Sequence, residues 1–78
     1  MSITNEQCRA ARALLGWSQS ELARASLVAQ KTIADFERDA RELRPRTVAD
    51  IRAALERAGV AFIDGNGGGP GVRLKKDG

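Results

Sequence analysis

Apolar positions along the chain fall at helical spacing in four stretches, with a change of rhythm near the end. Cys8, Ala11, Leu14 and Leu15 mark the inner face of a first helix over residues 4–15, with Arg9 and Arg12 directed outward. Thr4 and Gln7 have the spacing of a capping box, Ile3 and Cys8 that of a hydrophobic staple, and Gly16 stops the helix. The same signature recurs at once: Ser18 with Glu21 as capping box and Trp17 with Leu22 as staple open a second helix over 18–25. A third helix spans 30–38. Its narrow apolar stripe is Val28, Ile33 and Phe36, and Gln30, Lys31, Ala34 and Asp35 face away from it. Pro45 suits the first position of a fourth helix, which runs to Ala58 with Val48, Ile51, Ala54 and Leu55 inward and Gly59 closing it. Arg46, Arg52 and Arg57 fall on its solvated side. The second and third helices are too short to be stable alone, so they must lie on the other two.

After Gly59 the period shifts from helical to alternating. Residues 60–63 are a short β-prone run, residues 64–71 are nearly all turn formers, and residues 72–76 alternate apolar and basic side chains. An isolated two-stranded hairpin is marginal in water. Phe62, Ile63, Val72 and Leu74 are therefore expected to pair with something, most simply the same segment of a second subunit. The chain divides into a helical domain, 1–59, and a strand-and-glycine tail, 60–78, that serves dimerisation.

Composition narrows the function. The chain has 78 residues, enough for one small core, and the burial added by oligomerisation suits it. A net charge of +3 and a pI near 9.8 fit a polyanionic partner. A single cysteine and no histidine leave neither an intrachain disulfide nor a zinc set, and Cys8 reads as a small apolar core residue. Trp17 reads as a core plug, and three aromatic residues in all argue against a stacking surface for single strands. The glycine run lacks the Gly-Lys-Ser/Thr of a phosphate loop. No nucleophile and base are paired and no metal or cofactor set is visible, so the chain reads as a non-enzyme without cofactors. The N-terminus does not read as a signal peptide and no stretch reads as a membrane span, which makes the expected location cytoplasmic.

Gly16-Trp17-Ser18-Gln19, Glu21-Leu22-Ala23, Val28, Thr32-Ile33 and Phe36-Glu37-Arg38 together resemble the helix-turn-helix of small Cro/C1-type (phage-repressor-like, XRE) transcriptional regulators, over roughly residues 4–60. The resemblance implies a mainly α fold of four to five helices with a short C-terminal β-hairpin or intersubunit strand pair. It also implies a dimer that reads a palindromic double-stranded operator with helix 30–38, most simply as a repressor. Gln30, Lys31, Thr32, Ala34 and Asp35 would meet base edges. In side-chain chemistry Gln30 suits adenine, Lys31 guanine, and Asp35 the amino group of cytosine. Gln19 would anchor to a phosphate, helped by Ser18 and the helix N-terminus, with Arg38, Arg41, Arg44 and Arg46 as flanking phosphate contacts.

Three positions depart from the family pattern. Leu27 stands at the turn position usually held by glycine, and costs about 1 kcal/mol if φ there is positive. Ala29 stands where Ser or Thr usually caps the recognition helix, forgoing about 1 kcal/mol. Asp39 replaces the glycine after that helix. Leu27 is equally a contact for a regulatory protein partner, which keeps open a second function: a protein-interaction module on this scaffold, such as an antiactivator or antitoxin. No pocket for a small-molecule effector is evident from the sequence.

Overall fold

A computed structural model describes residues 2–65 and 67–75. Its elements are α1 (Asn5–Leu15), α2 (Gln19–Ser26), α3 (Gln30–Glu37), α4 (Pro45–Arg57), β1 (Val60–Ile63) and β2 (Gly71–Leu74). Both expected capping boxes form. Thr4 Oγ1 accepts from the Gln7 amide at 3.0 Å and Gln7 Oε1 from the Thr4 amide at 2.9 Å. Ser18 and Glu21 do the same at 3.1 and 2.9 Å. Gly16 ends α1 in the left-handed region at φ 68°, and Pro45 begins α4.

The core joins all four helices and the first strand: Ile3, Cys8, Ala11, Leu22, Ile33, Val48, Ile51, Ala54, Leu55 and Val60 are buried, with Trp17 packed half-buried against them. Three positions on the helices differ from the reading of the sequence. Leu14 is 42% exposed, because it lies off the axis of the stripe formed by Cys8, Ala11 and Leu15. Arg12 points inward, four residues after Cys8, and meets a carboxylate there. Arg52 is half-buried, its guanidinium 5.3 Å from the centroid of the Phe62 ring and 3.1 Å from Glu56.

The tail forms the hairpin alternative. β1 and β2 pair antiparallel within one chain, Val60 opposite Leu74 and Phe62 opposite Val72. β2 ends at Leu74; Lys76, at the end of the expected strand, and Asn66, within the turn, lie outside the described residues. The marginal stability of a lone hairpin is answered by docking, since Val60 is fully buried and Phe62 and Val72 pack against the core. Gln7 is the tie. Its Nε2 donates to the carbonyls of Ile63 at 3.3 Å and Gly71 at 3.0 Å, joining α1 to both strands.

Candidate nucleic-acid interface

The turn between α2 and α3 sets how α3 is presented at the surface. Leu27 sits there at φ 60°, as the turn position demands, with its side chain 93% exposed. Ala29 supplies no side-chain cap to α3; Ser26 instead ties the turn before it, its Oγ donating to the Leu22 carbonyl at 2.7 Å and accepting from the Val28 amide at 3.3 Å. Asp39 is also left-handed, at φ 57°. An isolated left-handed leucine with no packing to lose is a removable strain. Leu27→Gly is expected to stabilise the domain by about 1 kcal/mol and to raise Tm by about 4–8 °C in a thermal melt. An unchanged or lower Tm would show that the turn carries no such strain.

Glu37, which sequence reasoning did not single out for any role, is the hub that orients the motif. Its side chain is 3% exposed and receives Arg12 through a bidentate pair, Nε to Oε2 and Nη2 to Oε1, both at 2.7 Å. Gln19 Nε2 donates to Oε1 at 3.0 Å and Cys8 Sγ to Oε2 at 3.1 Å. The Glu37 carbonyl accepts from Arg9 and from Asn5 Nδ2. One carboxylate thus joins α1, the start of α2 and the end of α3. Burial pushes the Glu37 carboxyl up, but the hydrogen bonds of Arg12, Gln19 and Cys8 outweigh it and hold the group below its ordinary value. Burial, with the neighbouring carboxylate, pushes the Cys8 thiol well up, so it remains protonated. The one signal in the sequence is spacing: Arg12 and Glu37 lie four residues after Cys8 and Ile33, on two inner faces, although nothing local says that those faces meet.

The residues expected at DNA separate into groups. Gln30 and Lys31 are exposed on the outer face of α3, while Thr32 and Ala34 are half-buried. Asp35 is a correction: it is 8% exposed rather than open, with Oδ1 2.9 Å from Arg38 Nη2 and Oδ2 3.6 Å from Lys31 Nζ. The Arg38 hydrogen bond, with Lys31 adding to it, holds the Asp35 carboxyl below the usual range. On one flank of α3, Arg41 and Arg44 meet Thr32, Thr47 and Leu27 around a cleft of about 380 Å³. Arg46 is exposed in the first turn of α4 but does not line that cleft. On the other flank, Ser18 caps α2 and Gln19 is half-buried on Glu37, its amide keeping a second N–H for another acceptor. Of the four tail residues, Phe62 and Val72 turn toward the domain, whereas Ile63 and Leu74 are 44% and 48% exposed. Among the described residues, no helix is long and apolar enough to cross a membrane.

A short helix with an open polar face, flanked by Arg41 and Arg44 on one side and the capped start of α2 on the other, is the arrangement a helix-turn-helix presents. The family comparison agrees: the helix-turn-helix family model matches residues 9–59. The chain belongs to the Cro/C1-type helix-turn-helix family of DNA-binding regulators. Comparison with curated proteins returns no match.

Proposed function

We propose that the protein is a sequence-specific repressor acting as a two-fold dimer on a palindromic operator. The observation that carries this reading is the arrangement around α3. Gln30 and Lys31 stand open on its outer face, between the Arg41–Arg44 cleft and the capped start of α2. Gln30 and Lys31 read bases, with Thr32 and Ala34 in van der Waals reach of the groove. Ser18, Gln19, Arg41, Arg44 and Arg46 supply phosphate contacts, while Arg38 is held on Asp35.

The hairpin supplies the dimer seam. The Lys75 amide donates to the Gly59 carbonyl at 2.7 Å, which makes 59/75, 61/73 and 63/71 the hydrogen-bonded pairs of the ladder. The main-chain groups of Val72 and Leu74 therefore point away from β1, along the outer edge of β2. That outer main-chain edge of β2 is where the two-fold mate would pair, with the half-exposed Leu74 as its apolar side chain.

Mobility shifts on DNA flanking the protein's own gene test the proposal. Nanomolar, salt-sensitive binding is expected, and Gln30→Ala or Lys31→Ala should each weaken it by about 10–100-fold. Micromolar binding indifferent to sequence would sink this reading. It would instead promote a protein-interaction module, which the almost fully exposed Leu27 favours.

A further inference from the structure

We infer that Asp35 is a charge screen on α3, holding Lys31 and Arg38 back from unselected phosphates, rather than a reader of cytosine. The inference rests on α3 being the DNA-reading helix. Asp35 lies two residues from the buried Ile33, and so on the outer side of the helix, yet its side chain is only 11% exposed. Its two oxygens are engaged separately, Oδ1 by Arg38 at 2.9 Å and Oδ2 by Lys31 at 3.6 Å. The cations themselves stay open, Lys31 with 83% and Arg38 with 68% of the side chain exposed. An approaching molecule therefore meets an ammonium and a guanidinium first, with a carboxylate behind both. A cytosine amino group would need one of those covered oxygens.

The arrangement treats two kinds of DNA differently. Non-specific affinity comes from phosphates neutralised by Lys and Arg. A phosphate that captures Lys31 or Arg38 must displace Asp35 or accept its repulsion. A guanine edge brings neutral acceptors and can be met by Lys31 while it stays over Asp35. The screen thus weakens unselected binding more than selected binding, which raises discrimination without adding a base contact.

The test uses the full chain, a random-sequence duplex of about 20 base pairs, and the duplex the protein itself selects from a random library. Asp35→Asn is expected to tighten binding to the random duplex by about eightfold near 0.1 M salt, and to steepen the log–log salt slope by about 0.9, the value of one added phosphate. Affinity for the selected duplex should change by less than about twofold, so discrimination falls by most of that factor. Asp35→Glu should keep the wild-type slope. Adding Lys31→Ala to Asp35→Asn should remove part of the gain, and thermal melts establish that each variant is folded. Unchanged random-duplex affinity and slope in Asp35→Asn would overturn the screen. Loss confined to the selected duplex at one base position would overturn it too, in favour of a base reader. If the library yields no preferred sequence, the operator reading fails, while the random-duplex slopes still decide the part Asp35 plays.

Discussion

Glu37→Ala is expected to destabilise the domain by about 3–5 kcal/mol, the cost of leaving one member of a buried ion pair without its partner. Small domains hold only about 5–15 kcal/mol in all, so urea melts should show a chain close to unfolding at room temperature. The loss is large because the carboxylate has several donors. Arg12 loses its bidentate acceptor, and the Cys8 thiol and Gln19 amide lose theirs inside the fold. Arg12→Met combined with Glu37→Leu should cost much less than the two single losses added together, since removing both charges leaves neither one stranded.

Acid gives the same result reversibly. The folded carboxyl is held below its ordinary value of 4.5, so below that value the unfolded chain binds more protons than the folded one. The stability due to Glu37 is therefore complete above about pH 5 and is lost as pH falls below 4.5 toward the folded value. Stability of Glu37→Ala should vary less over that range. If Glu37→Ala costs under about 1 kcal/mol, the hub is ornamental and the three helices are held by apolar packing alone.

Leu74→Asp, on the outer edge of β2, is expected to lower operator affinity by about 100-fold or more, by separating the two heads that bind together. It should convert a dimer to a monomer in sedimentation equilibrium while changing Tm little, since Leu74 is half exposed. Deleting the tail would be a poorer test. Val60 is fully buried and Gln7 bonds to Ile63 and Gly71, so removing the hairpin would also open the core and strip a partner from α1. If Leu74→Asp stays dimeric and binds as tightly as the parent, the seam lies elsewhere.

What the sequence revealed and what it withheld follow the range of the interactions. Caps, staples and the left-handed glycine after α1 are settled within four or five residues, so Thr4–Gln7 and Ser18–Glu21 could be read directly. The left-handed turn at Leu27 was legible from the family pattern, although the residue itself argues against that conformation. The Glu37 hub was hidden because its donors come from residues 8, 12 and 19, which only the packed helices bring together. The same distance hid the inward turn of Arg12 and the reach of Gln7 to the hairpin. For Asp35, helical periodicity gave the correct outward side but not its covering. That covering depends on which rotamers Lys31 and Arg38 adopt around it. Of the two forms expected for the tail, the hairpin within one chain is the one seen, because a glycine-rich connection from 64 to 70 lets the tail fold back on itself.

The bond from Gln19 to Glu37 also bears on how DNA is met. The proposed phosphate anchor at the start of α2 and the proposed base-reading face of α3 are fastened through the same carboxylate, so their separation is set before any duplex arrives. The head is a finished tool rather than one shaped on its substrate. On that reading association would need little ordering of the protein, and fitting a mismatched site would fall to the DNA.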